Sequence, residues 1–264
     1  MDPYQTLIMD VSQEGVAAIV LNRPTVANAL TSDLVAELAD AFATLARTPE
    51  VRLVILRGSG EVFSAGSDPD WLRASGDYSR EEHEEDAFAL AETLRALREL
   101  PQPTIALVHG AATDIGAGLA LACDTLIAGP AATFSFSEVR HGGASIVLAP
   151  YLIEAVGPRW ARSLMTLGET ADLDLACRIG LVHYRAASET EMEAILERLA
   201  DAVFKASPAA IAEVKDGLDA LDGQVPSADL SRWAARRLAH NRVSEHGQEG
   251  LAARIEKRPP QWRI

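Results

Sequence analysis

Three stretches of this chain, VRLVILRG (51–58), PTIALVHG (103–110) and DTLIAGP (124–130), are apolar almost without interruption. Drawn as strands, they have no face to turn to water. Strands of that kind must be covered on both sides, which is the habit of parallel strands joined by crossover helices. The intervening segments fit. TSDLVAELADAFATLARTP (31–49) spaces its apolar residues at helical period between a Thr/Ser/Asp start and a Pro stop, and an acidic helix is expected from about Ser79 to Leu100. At the front, residues 6–22 read as two strands turned at Glu14-Gly15. The fold class is therefore α/β.

Beyond Ala149 the pattern becomes helical: APYLIEAVG, PRWARSLMTLG, LDLACRIG, then a strand in LVHYRAAS and three longer helices up to Glu256. No low-complexity linker separates the two regions. Residues 1–200 read as a core, and 201–264 as a docked helical appendage or oligomerisation region.

A length of 264 residues with 48% hydrophobic content suits one large core with such an appendage. The start lacks a basic segment leading into an apolar run, and no eighteen apolar residues occur in succession, so a soluble, cytoplasmic protein is expected, with no membrane partner. The net charge of -14 argues against nucleic acid, whose binding needs a basic surface. From Arg232 to Ile264, however, eight Arg and Lys face three Glu, a local excess that suits either a ligand phosphate or a solvated helix face. Cys123 and Cys177 sit in apolar helical patterns without metal spacing and read as buried thiols.

LNRPTVANAL (21–30), VFSAGSD (62–68), PTIALVHGAATDIGAGLALACD (103–124), ATFSFSEVRHG (132–142) and RIEKRPPQW (254–262) resemble, in order and spacing, the crotonase, or enoyl-CoA hydratase/isomerase, superfamily. Within it the chain is most similar to the branch of glutaconyl-CoA-type hydratases. The resemblance implies a spiral of repeated ββα turns of the ClpP-like kind, a C-terminal helical trimerisation region, and an acyl-CoA thioester as ligand. It further implies a homotrimer or a dimer of trimers, and no cofactor beyond the coenzyme A of the substrate: no metal, nicotinamide or flavin.

It also implies a chemistry. Attack on an α,β-unsaturated thioester puts negative charge on the thioester oxygen, which calls for two aimed backbone N–H donors in a dry pocket. By the resemblance these are the amides of Ser67 and Ile115, with Gly66 giving the ligand close access to the backbone. Asp68 and Trp71 then fall where the acyl and pantetheine channel runs. Arg23, Val26 and Ala27 fall on the adenine-side loop, and Ala65 contributes its carbonyl. Thr25 stands where the family usually has Lys, and Lys257 and Arg258 are candidates to compensate, reaching a neighbouring subunit's ligand.

Hydratases of this superfamily usually read Gly-Gly-Gly-x-Glu where this chain has Asp114-Ile115-Gly116-Ala117-Gly118. The first catalytic carboxylate is thus replaced by Gly118. Asp114, one helical turn earlier, admits three readings: a carboxylate leaning into the vacated space, an N-cap on the amides of Gly116 or Ala117, or a charge opposing the oxyanion. Glu138 takes the position of the second family carboxylate. One carboxylate suffices to move a proton from C2 to C4 of a bound enolate, whereas two suit hydration better. His141 is close enough in sequence to contact Glu138, and His109 reads as a satisfied core histidine.

The expectation is therefore a hydratase or isomerase acting on an enoyl-CoA through Glu138 and the amides of Ser67 and Ile115. The alternative is a non-catalytic acyl-CoA-binding homologue, suggested by Gly118. A catalyst binds an enolate mimic more tightly than a saturated acyl-CoA, and a binder does not.

Overall fold

The computed structural model describes residues 4–221 and 223–262. Of the basic tail, Arg263 and Ile264 lie outside them. The front hairpin is β1 (Leu7–Val11) and β2 (Val16–Leu21), antiparallel and turned through Gly15 at φ 87°, a conformation that side chains resist. Helix α1 (Ser32–Ala46) starts at Thr31, whose hydroxyl accepts the Leu34 amide. β3 (Leu53–Gly58), α2 (Pro69–Ala74) and α3 (Arg80–Arg98) follow, and α3 opens with the reciprocal Ser79 and Glu82 capping bonds. Then come β4 (Thr104–Val108), β5 (Ala111–Thr113), α4 (Ile115–Leu121), β6 (Thr125–Ala128) and β7 (Thr133–Ser135). The chain goes on through α5 (Ala149–Leu167), β8 (Thr170–Asp172), α6 (Leu173–Ile179), β9 (Tyr184–Arg185) and α7 (Glu189–Lys205). It closes with α8 (Pro208–Leu221), α9 (Ala228–Val243) and α10 (Glu245–Glu256).

Strands β1-β2-β3-β4-β6-β9 form one sheet in that order, parallel from β2 onward. The uninterrupted apolar runs are explained by what covers each face. Val54, Leu56, Ala106 and Val108 join the large core with residues of α1, α3 and α4. Their alternates Leu53, Ile55, Ile105 and Leu107 join a smaller core closed by Met192 and Leu196 of α7. Each buried Val, Leu, Ile or Met among them stabilises the fold by about 1.5–3 kcal/mol. Residue 200, taken above as the edge of the core, falls inside α7, the helix that covers this second face.

A smaller sheet runs beside the first. β5 pairs with β7 in parallel and β7 with β8 antiparallel, while the bridges Ser64 to Ala112 and Leu30 to Ser67 carry the ladder onward. Each strand of the large sheet from β2 to β6 thus leads into a short arm in the small one, and for β2, β3 and β4 a helix follows: the spiral of ββα turns.

APYLIEAVG and PRWARSLMTLG are the two halves of α5, parted as the sequence divides them by a non-helical Gly157 at φ 74° and ψ 162°. The helical half departs from expectation in one place: among the described residues four helices rather than three follow β9, because Ser244 ends α9 and its hydroxyl accepts the Gly247 amide to start α10. Lys215 of α8 donates to the Asp124 carboxylate and to the Gln102 carbonyl, tying α8 to the segments that lead into β6 and β4. The thiol of Cys123 is buried, which with the neighbouring Asp124 charge pushes it up to about 12, while Cys177 is only half-buried. No helix among the described residues is long and apolar enough to cross a membrane.

Candidate active site

The small sheet brings distant turns together. β5 and β7 pair Thr113 with Ser135, so the residues that leave the ladder next stay side by side, and the Asp114 amide donates to the Ser135 carbonyl at 2.7 Å. On the other flank the Thr113 amide donates to the Ser64 carbonyl at 2.9 Å. Gly66, at φ 87°, lies so close that a Cβ there would sit 3.0 Å from the Thr113 carbonyl oxygen. A Cβ on Gly116 would meet the Ser64 side chain at 2.6 Å. Glycine is therefore needed at both places for the 64–68 turn and the start of α4 to touch. That contact sets Ser67 and Ile115 on adjoining turns. Among the described residues neither amide donates to a protein acceptor, although Ile115 is buried. An unmet buried N–H costs about 1–3 kcal/mol, and a ligand carbonyl oxygen would recover it.

Asp114 stands at φ 45° and ψ -114°, a conformation that costs a residue with a side chain about 1–3 kcal/mol. The N-cap expectation fails. Its carbonyl does accept the Gly118 amide, as a capping residue's should, but its carboxylate bonds no amide of α4. An N-cap residue needs extended backbone to fold its side chain over the first turn. Here the carboxylate swings instead to the arm after β7, where Oδ1 accepts the Glu138 amide and Oδ2 the Ser137 hydroxyl, both at 3.2 Å. Burial pushes its pKa above the ordinary carboxylate range, against the opposing pull of those two donors and the nearby His141.

The space at Gly118 is not a vacant carboxylate site. A Cβ there would lie 3.1 Å from Cβ of Leu148, with methyls of Ile115 and Leu94 at 3.5 and 3.6 Å. Every residue of α4 is buried, so the surroundings are hydrocarbon. Asp114 does not lean into this space either.

Glu138 opens a single 3-10 turn, Glu138–His141, after β7. Its carboxylate folds over Gly143, where a Cβ would come within 3.0 Å of Oε2. Among the described residues that carboxylate accepts no hydrogen bond and has no ion-pair partner. Glu138 and Asp114 line one cavity of about 180 Å³, whose other walls include Phe136, Val139, Ile146, Leu148 and Met165. His141 is exposed and makes no hydrogen bond to Glu138 among the described residues. His109 contacts the Gly60 carbonyl through Nε2 at 2.9 Å, satisfied as expected but half-buried and outside the core.

The remaining candidates fall into two groups. Arg23 donates to the Asp68 carboxylate at 2.9 Å, and Asp68 also accepts the amides of Asp70 and Trp71 at the start of α2. Burial alone would raise the Asp68 pKa, but the Arg23 guanidinium and those amides hold it below the usual range. The pair fastens one loop to the other, so Asp68 faces Arg23 and not the cavity. Val26 is exposed, Ala27 is left-handed with its carbonyl accepting the Ala65 amide at 2.9 Å, and Ala65 is exposed. Trp71 is half-buried, and its indole nitrogen is enclosed without a partner among the described residues. Lys257 ends α10 in a left-handed conformation with its side chain exposed, whereas Arg258 is held by Glu249 and Glu256.

Sequence reasoning missed Asn28. Fully buried and at φ 54°, it donates its side-chain amide to the carbonyls of Ser59, Val62 and Phe63 and accepts the Arg23 amide. It holds the 23–30 loop against the turn that carries Ser67. Asn in a left-handed position is the available signal, since Asn tolerates it better than most residues.

Comparison with known proteins bears on the whole chain. The sequence profile of the enoyl-CoA hydratase/isomerase family matches residues 11–264. A Rhodobacter capsulatus protein named "Probable enoyl-CoA hydratase" is 34% identical over 270 residues, covering 98% of each chain. The mitochondrial enoyl-CoA hydratase domain-containing protein 3 of Rattus norvegicus is 30% identical over 253 residues, 95% of this chain and 82% of its own. The crystal structure of an enoyl-CoA hydratase from Shewanella pealeana superposes with a TM-score of 0.95 at 34% identity, covering 98% of this chain and 97% of that one.

Proposed function

The chain belongs to the enoyl-CoA hydratase/isomerase family, and from that we propose that it is an enzyme of α,β- or β,γ-unsaturated acyl-CoA thioesters in which Glu138 alone moves the proton beside the thioester. The observation that carries this reading is the contrast between positions 118 and 138. Glu138 offers an unengaged carboxylate to a cavity, while the space at Gly118 is closed by Leu148.

The thioester oxygen accepts the amides of Ser67 and Ile115, which holds the negative charge of the enolate without moving any group at the moment of reaction. Glu138 takes a proton from C2, and the protonated acid returns it at C4, shifting the double bond. Hydration asks for a second group to hold the water; position 118 has none, and the other acid of the cavity, Asp114, is already engaged by the Ser137 hydroxyl and the Glu138 amide. The reading thus favours isomerisation. The names of the relatives favour hydration, in which Glu138 would both orient water and deliver the proton.

Exposed Leu218, Leu238, Val243 and Ile255 on α8 to α10 support self-association through the helical appendage, measured by light scattering of the purified protein.

The test follows the conjugated-thioester absorbance of a panel of enoyl-CoA esters, with product mass and deuterium uptake from heavy water. Glu138-dependent conversion without a gain of the mass of one water establishes the isomerase, and with that gain the hydratase. Binding without turnover, unchanged in Glu138→Gln, establishes the non-catalytic homologue.

A further inference from the structure

Two carboxylates, Asp114 and Glu138, face the cavity, and no Lys, Arg or His is among the residues that line it. Of the basic side chains of the same 3-10 turn, Arg140 lies over Gly168, where a Cβ would meet its Nε at 3.0 Å, and His141 is near enough to attract the Asp114 carboxylate but is exposed and outside the cavity wall. Of the two acids, Glu138 is accounted for by the proton transfer. Asp114 is not, and it is held in place at the cost of a positive φ, fixed by the Ser137 hydroxyl and the Glu138 amide. Both carboxylate oxygens thus accept a hydrogen bond and neither donates one.

We propose that Asp114 is a specificity-determining residue: a fixed negative charge in the wall of the acyl cavity that admits uncharged acyl groups and rejects those ending in a carboxylate. This rests on the reading of the cavity as the place where the acyl group lies. A terminal carboxylate entering it loses water, meets walls of Phe136, Val139, Ile146 and Met165, and finds two like charges with no cation to pair with. An uncharged chain meets the same walls favourably. The volume of about 180 Å³ suits a short chain, since a dry cavity of about 150 Å³ takes a benzene-sized guest. The substrate class is a neutral enoyl-CoA with a short acyl group, benzene-sized or slightly larger. Rejection of the wrong ligand by an unpaired charge is a recurrent source of specificity.

The experiment compares hexenoyl-CoA with glutaconyl-CoA as substrates of the purified full chain, and hexanoyl-CoA with glutaryl-CoA as ligands by calorimetry. The neutral ester is expected to be favoured in kcat/KM and in Kd, and Asp114→Asn to shift both ratios toward the acidic ester by about tenfold or more. Because each ratio is taken on one protein, any general loss from disturbing the Glu138 loop cancels. Thr166→Lys, which adds a cation to the same wall, is expected to shift the ratios in the same direction. Equal ratios in the native protein, or ratios that neither substitution changes, overturn the proposal. A binding preference without turnover of any ester supports it while refuting the catalytic reading.

Discussion

The carboxylate of Asp114 accepts the backbone N–H of Glu138 at 3.2 Å, across twenty-four residues of sequence. One acidic side chain thereby links the turn that carries the Ile115 amide to the turn that carries the proposed catalytic acid. Relative placement of donor and acid, on which proton transfer to a bound thioester depends, is set by that link and by the β5 and β7 register beneath it.

Replacing Glu138 by Gln keeps the shape and removes the proton carrier. Turnover of the best enoyl-CoA should fall by about 10²–10⁴-fold while the Kd of a saturated acyl-CoA changes little. Stopped-flow absorbance and calorimetry measure the two quantities, and full activity in the variant would remove Glu138 from the mechanism.

Writing the family's acid back into the chain should not restore a hydratase. The side chain introduced by Gly118→Glu has to push Leu148 aside and bury a charge among hydrocarbon. A loss of about 3 kcal/mol or more in unfolding free energy is expected, with no gain in hydration. Urea unfolding and a water-addition assay measure the two. A stable variant with raised hydration would show that the surroundings of α4 yield far more readily than their packing implies.

Two neutral substitutions separate strain from charge at residue 114. Asp114→Gly and Asp114→Ala both lose the link to Glu138, but only glycine is at ease at φ 45°. The glycine variant should be the more stable of the two by about 1 kcal/mol in urea unfolding. Equal midpoints would mean that the backbone there relaxes freely.

The Arg23 and Asp68 pair should emerge in the pH dependence of stability. The folded pKa of Asp68 lies below its ordinary value, so its contribution is present above the unfolded pKa of about 3.9 and is lost as pH falls through the folded value. Arg23→Gln should therefore cost about 1–3 kcal/mol at neutral pH, and the gap between native and variant should narrow in acid below about pH 4. Denaturant titrations at neutral pH and in acid measure it, and a gap that stays constant would assign the cost to lost packing.

Local signals are readable in the sequence wherever the cause is local. Thr31 and Ser79 start helices through hydroxyls that bond within three residues, and the two-sided apolar runs of β3 and β4 announce coverage on both faces. The family motifs likewise bring Ser67, Ile115 and Glu138 into view. What escapes depends on register between distant segments. Asp114 leaves a helix cap, a leaning carboxylate and an opposing charge all open, and nothing near it says that Ser135 lies alongside and turns the carboxylate toward Glu138. Asn28 escapes for the same reason, its three carbonyl partners lying more than thirty residues on. Arg23 and Asp68 read as ligand contacts when each loop is taken alone, and only the fold shows that the loops bind each other.

The small sheet also has a direction in time. Its rungs, Leu30, then Ser64 to Ser67, then β5, β7 and β8, are laid down in the order in which a ribosome would release them. The arm with Ser67, already beside Leu30, lacks its second neighbour until Ala112 has emerged, and β7, which leads to Glu138, pairs with β5 only once Thr113 is in place. A nascent chain cut short before Ser135 would hold the turns of Ser67 and Ile115 without the strand that braces Asp114, so the site is not assembled until β7 has been added.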